Sequence, residues 1–224
     1  MTTECPPRPA IAQGGRWRAA RSSLCVAAAV LLLGLAVWQL GAAATIHAKA
    51  WLAQILLERA WSDTLAQTAE GASEGAARQR PWPWADTFPV SRLQIPDLAV
   101  DQIVLAGASG RTLAFGPAHL DGTATPGAAG HSVLSGHRDT HFRFLEAVAI
   151  GQEIRLQRSD GGWQSYRVTD SQVIDAGKAR LRPGDGRPAL TLVTCYPFDA
   201  VVPGGPLRYL VFAEAVGSQE PVMR

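Results

Sequence analysis

Three side chains with reactive chemistry stand at the ends of apolar, β-branched runs. Cys195 closes the run Thr191-Leu192-Val193-Thr194-Cys195 and is the only cysteine in the last two-thirds of the chain. His137 lies in Ser135-Gly136-His137-Arg138-Asp139, just after a strand-like run at 131–134. Arg208 lies in Leu207-Arg208-Tyr209-Leu210-Val211-Phe212. A thiol attacks a carbonyl as thiolate, and its reference pKa of about 8.5 calls for a cation beside it or a base to take its proton. Protonated His137 and Arg208 both supply positive charge. A tetrahedral intermediate then carries an oxyanion, which Arg208 or backbone amides near Cys195 can receive. An imidazole of pKa near 6.5 can protonate a departing amine. The set suits acyl transfer through a thioester. A buried, inert thiol is the competing reading, and spacing alone leaves both open, because nucleophile and base are recognised by geometry.

Short strands must position these groups. After Arg80 the sequence breaks into β-rich runs separated by Gly, Pro and Asp, which predicts strands at 92–95, 100–106, 131–134, 153–158, 164–174, 190–194 and 208–213. Asp160-Gly161-Gly162 reads as a hairpin turn between two of them. Residues 142–148 read as a short helix or turn. Many short strands at this spacing predict a mainly β sandwich or barrel. Before it, residues 46–77 read as helix, with Trp51, Ile55, Leu56, Ala60 and Leu65 at three-to-four-residue spacing. That helix is expected either to form a stalk or to pack on the domain. Pro81 and Pro83 end helical structure, since neither can donate a backbone hydrogen bond; Trp82 and Trp84 between and after them suit a barrel edge or a membrane surface.

At the N-terminus, residues 24–44 are almost wholly apolar, with Gln39 the one strongly polar side chain. About 20 residues cross a bilayer core of ~30 Å, so the run is long enough to span. Arg8, Arg16, Arg18 and Arg21 precede it. Excess positive charge stays cytoplasmic, which predicts an N-terminus inside and a domain outside. A cleaved signal peptide is the alternative, but the apolar core exceeds the ~7–15 residues usual for one. The whole chain of 224 residues carries a formal charge of +2, and from Arg80 onward it has 14 basic and 14 acidic residues. Such balance gives no footprint for nucleic acid. If the apolar run spans a membrane, Cys5 and Cys25 cannot reach Cys195 within one molecule, leaving an unpaired thiol in a compartment where thiols are usually paired.

The strings themselves carry a resemblance. Thr191-Leu192-Val193-Thr194-Cys195 matches the TLxTC signature of sortases, the membrane-anchored cysteine transpeptidases. Ser135-Gly136-His137-Arg138-Asp139-Thr140 resembles the histidine segment of the same family, especially its class D-like branch and the sortases of proteobacteria. Leu207-Arg208-Tyr209-Leu210-Val211 is similar to the strand that carries the family's arginine. The likeness covers residues 90–214, in order. It implies a closed β-barrel of about eight strands with short helices, preceded by an N-terminal transmembrane helix and a helical stalk. The implied organisation is a cytoplasmic basic tail at 1–23, an anchor at 24–45, a stalk or linker at 46–80, the catalytic barrel at 81–216 and a tail at 217–224. It further implies Cys195 as nucleophile, His137 as catalytic histidine, Arg208 as essential arginine, and Thr194 as support for substrate or oxyanion. The expected substrate is an exported protein with a C-terminal LPxTG-like sorting signal, cut after threonine and passed to an amine acceptor. The expected location is the inner membrane, crossed once, with the barrel periplasmic. Segment 81–89 is too short for the lid helix of pilin-polymerising members, which disfavours polymerisation.

Other assignments compete at single residues. An exported cysteine hydrolase using water and a non-catalytic envelope-binding barrel are the alternative functions. His137 and His141 stand four apart around Asp139, but the segment holds no HExxH pattern and its glycine argues against a helix. No metal or other cofactor is expected. Asp139 is expected to cap the short helix near Thr140 rather than orient an imidazole. Gly204-Gly205-Pro206 reads as a turn, with no phosphate-loop lysine after it.

Overall fold

The computed structural model describes residues 14–73, 78–178, 188–202 and 204–217, with side chains from residue 28 onward. The chain divides into two compact units, Met1–Ala50 and Trp51–Arg224. Helix α1 (Gly14–Ala69) runs through the division. Its stretch from Ala28 is long and apolar enough to cross a membrane by length and composition, with a best-window mean hydropathy of 1.9.

α1 ends at a glycine rather than at the prolines. Gly71 takes a left-handed φ of +91°, its amide donates to Thr68 O, and the Ala72 amide donates to Gln67 O. These two bonds close a Schellman motif, which satisfies carbonyls that the helix end would leave free. The expected helix at 46–77 therefore stops eight residues early, and positions 74–77 lie outside the described residues.

Within the second unit, the last five turns of α1 lie on the barrel, the second of the two arrangements expected for that segment. The buried face is Ala53, Leu57, Ala60, Trp61 and Thr64. Of the apolar stripe read from the sequence, Ala60 is buried and Leu65 packs partly buried against the same cluster, whereas Trp51 is largely exposed. Small residues at 53, 60 and 64 let the helix approach closely, while Leu57 and Trp61 fill the space against Ile103, Leu105 and Ala118. Trp61 Nε1 donates to Gln157 Oε1 at 3.1 Å, so its one polar atom is paired as it is buried.

Eight strands follow: β1 (Pro89–Ile95), β2 (Val100–Ala106), β3 (Ala118–His119), β4 (His131–Ser135), β5 (Glu153–Gln157), β6 (Trp163–Asp175), β7 (Ala189–Cys195) and β8 (Leu207–Ala215). They close into a barrel in the order β1-β2-β3-β4-β7-β8-β6-β5, with β5 returning to β1. Closure removes exposed sheet edges. The β2–β3 and β4–β7 pairs are parallel, the others antiparallel. Side chains alternate between faces along a strand, and Leu93, Val104, Leu134, Leu156, Leu192 and Val211 point into one core. On β2 the neighbours Ile103 and Leu105 take the outer face beneath α1, so that strand is buried on both sides. The β5–β6 hairpin turns at Asp160-Gly161-Gly162 as expected, with Gly161 N donating to Arg158 O and Gly161 at φ +84°. A single turn of helix α2 (Gly110–Leu113), capped by Ser109, and a 3-10 turn at Arg143–Ala147 complete the described elements near the site. Trp82 packs edge-on to Phe115 at 5.0 Å while Trp84 stays exposed.

Candidate active site

Three neighbouring strands, β4, β7 and β8, deliver the expected groups to one end of the barrel. Cys195 is the last residue of β7 and pairs with Arg208 of β8. Residues directly opposite in an antiparallel pair share a face. Leu190 and Leu192 point into the core, so Thr191, Val193 and Cys195 occupy the outer face, and Arg208 stands there beside the thiol. Cys195 is half-buried and a free thiol.

β4 runs parallel to β7 with Ser135 opposite Val193. The ladder continues one residue further, because Gly136 N donates to Val193 O at 3.2 Å. His137 follows two residues after Ser135, as Cys195 follows two after Val193. His137 is exposed, and its carbonyl accepts the amides of Thr140 and Phe142, which turns the chain sharply after the histidine. Gly136 is required for this approach. A Cβ there would lie 2.6 Å from Cγ of the Phe142 ring, and Phe142 is wholly buried in the core.

Thr194 immediately precedes the thiol in β7. Its side chain points inward, opposite to Cys195, and Oγ1 donates to Gly136 O at 2.8 Å in a buried bond. The hydroxyl ties the histidine segment to β7. Arg208 Nη1 donates to Gly205 O at 2.7 Å and Leu207 O at 2.8 Å, which shapes the turn the sequence placed at Gly204-Gly205-Pro206.

Asp139 caps no helix. It pairs with Arg138, Nε to Oδ1 at 2.9 Å, and the residue preceding the 3-10 turn, Phe142, makes no side-chain cap. The hydrogen bond from Arg138 holds the Asp139 carboxyl below its usual range, against a smaller opposing effect of desolvation. Arg138 is the residue that sequence reasoning missed. It is 7% exposed and reaches the loop beyond Cys195, donating to Pro197 O at 2.6 Å and Ala200 O at 2.9 Å. Tyr196 and Phe198 of that loop pack on Tyr209 of β8. Gln102 Nε2 of β2 donates to His141 O at 3.0 Å, bracing the histidine loop from its other side. Burial lowers the pKa of His141, a backbone bond to Ala114 opposes it, and nearby His137 adds to the lowering. His131 Nε2 lies 2.7 Å from Thr191 Oγ1. Among the described residues no group of three or more His, Cys, Asp or Glu comes together as a metal site.

A closed eight-stranded barrel with a free thiol at the end of one strand and an arginine paired to it across the next defines a class of fold. Known proteins identify that class. The sortase domain model matches residues 93–216. Sortase D of Bacillus subtilis (strain 168) is 30% identical over 125 residues, covering 55% of this chain and 62% of that protein. Among solved structures, sortase A from Corynebacterium diphtheriae superposes with a TM-score of 0.54 at 28% identity, covering 62% of this chain and 65% of the other. A Clostridium perfringens sortase D5 transpeptidase has the same fold, with a TM-score of 0.56 at 21% identity over 74% of this chain and 99% of that one. The chain belongs to the sortase family. It spans just under two-thirds of the length of the Bacillus and Corynebacterium relatives.

Proposed function

We propose that this chain is a membrane-anchored cysteine transpeptidase that cuts an LPxTG-like sorting signal after its threonine and passes the new acyl group to an amine. The observation that supports this reading is the order β4-β7-β8, in which Arg208 pairs with Cys195 and Ser135, two residues before His137, pairs with Val193, two residues before Cys195. Cys195 acts as thiolate and His137 as imidazolium. The thiolate attacks the threonine carbonyl, the oxyanion forms, and the C–N bond breaks as the imidazolium gives its proton to the departing amine. The acyl group stays on sulfur as a thioester. An acceptor amine then attacks, gives its proton to the imidazole, and the thiolate leaves. Arg208 serves substrate or oxyanion by releasing the carbonyls of its own turn. Thr194 acts through Gly136 as a positioning residue.

The apolar start of α1 serves as a single-pass anchor at 24–45, following a cytoplasmic basic tail at 1–23 and leading through 46–80 to the barrel at 81–216 and a tail at 217–224. Four arginines before the apolar run support an N-terminus inside and a barrel on the outer side of the inner membrane, where an exported substrate carrying its sorting signal is processed.

The test is peptide cleavage by the full chain in detergent, with products weighed by mass spectrometry. Cys195→Ala and His137→Ala each abolish cleavage of an LPxTG-like peptide while circular dichroism stays that of the wild type. An added amine appears as adduct in the product. Cleavage at normal rate by Cys195→Ala rejects the thiol mechanism, and a product carrying only water in excess amine identifies a hydrolase instead.

A further inference from the structure

Arg138 is a buried guanidinium that reaches across the site. It sits next to His137 in the chain, yet two of its nitrogens grip the backbone that leaves Cys195. Nη1 donates to Pro197 O at 2.6 Å and Nη2 to Ala200 O at 2.9 Å. Nε and Nη2 meet the two oxygens of Asp139 at 2.9 and 3.3 Å. Asp139 is itself 67% exposed, whereas Arg138 is 7% exposed, so the charge is buried more deeply than its partner. Burying an arginine is a weak route to stability, because desolvation offsets most of the attraction. A planar fork with fixed donor directions is instead a route to geometry. Here it joins residues 59 and 62 positions apart in sequence.

We propose that Arg138 is a positioning residue for the thiol–imidazole pair: its fork straps the loop leaving Cys195 to the loop carrying His137 and so fixes the separation of sulfur and ring. Gln102 holds the histidine loop from the side of β2, and the Phe142 ring closes against Gly136, so the strap works against a braced loop. The Arg138 charge also feels Cys195; charge without the fork is the rival account. The role in turnover rests on the transpeptidase reading, but the strap can be read from the thiol alone.

The experiment compares Arg138→Lys, which keeps charge and loses the fork, with Arg138→Gln, which loses both, in the full chain. One readout is kcat and KM on the sorting-signal peptide. The other is the pH dependence of Cys195 alkylation by iodoacetamide, followed at that residue by mass spectrometry. The strap predicts kcat lower by about tenfold or more in both variants, KM within about twofold, and an alkylation midpoint moved to higher pH in both. Wild-type kcat or a wild-type midpoint in Arg138→Lys overturns it, as does a rise in KM at constant kcat. If circular dichroism shows either variant unfolded, Asp139→Asn, on the exposed side of the ion pair, replaces it; a fall in kcat of a few fold with the same upward midpoint supports the strap, and no change in either rejects it. A wild-type protein that ignores the peptide refutes the transpeptidase reading, while the alkylation midpoints still decide the strap.

Discussion

Gly136→Ala puts one methyl group where the structure has no room for it. The added carbon would meet Cγ, Cδ1 and Cδ2 of Phe142 at 2.6, 2.8 and 2.9 Å, against the ~3.5–4.0 Å of an ordinary carbon contact. One side has to give by about an ångström. The ring is wholly buried and stands edge-on to Phe144 at 5.5 Å. The Gly136 backbone is held through its amide by Val193 O and through its carbonyl by Thr194. Overpacking of this kind costs about 1–3 kcal/mol, and a site pinned on both sides belongs at the upper end. For a unit the size of Trp51–Arg224 each kcal/mol lowers Tm by roughly 2–4 °C, so scanning calorimetry should show a fall of about 4–12 °C. Because His137 is the next residue, peptide cleavage should fall by about tenfold or more. Adding Phe142→Leu removes the ring edge and should recover about 1 kcal/mol relative to the sum of the single changes. A Tm within a degree of wild type, or losses in the double variant that simply add, would refute the contact as the reason for glycine.

Thr194→Val leaves Gly136 O buried without its donor and should cost about 1–3 kcal/mol in a denaturant melt, whereas Thr194→Ser should restore most of it. Trp61→Ala empties the contact between α1 and β2 and should cost about 3–5 kcal/mol, read as a lower urea midpoint. Stability should also fall on mild acidification. Burial lowers the pKa of His119 from 6.5, against bonds to Ala124 and Thr123 and the charge of Asp121, and burial likewise lowers that of His141. The unfolded chain therefore takes up protons first as pH drops below about 6.5, so the stabilisation is full above that pH and is lost toward the lower folded values. Urea midpoints at pH 7.5 and 5.5 check this, and the difference should shrink in His119→Gln.

Most strands were legible because each carries its own β-branched run. The seven expected strands match β1, β2 and β4 to β8 to within a few residues. β3 escaped because Ala118–His119 is too short to show a period; its place is set by β2 and β4 on either side. The buried face of α1 was misread because large side chains draw attention, while the contact is made through Ala53, Ala60 and Thr64 as much as through Leu57 and Trp61. Cys195, His137 and Arg208 were legible as letters in strings; that β4 and β7 run side by side is a matter of long-range pairing. Arg138 had no signal of its own. A charged residue beside a histidine reads as solvated, and its partners are main-chain carbonyls 59 and 62 residues away, which leave no mark in the sequence.

The parallel seam between β4 and β7 joins His131 to Ala189 and Ser135 to Val193. Contacts so distant along the polymer form slowly, since the intervening chain must be organised before they are rewarded. β5 and β6 lie between these two strands in sequence, and β8 comes after both. Cys195 lies in the last part of the chain, so the seam beside it closes only after β5, β6 and β7 have been made. Barrel closure is thus a late event, completed only once nearly the whole polypeptide exists.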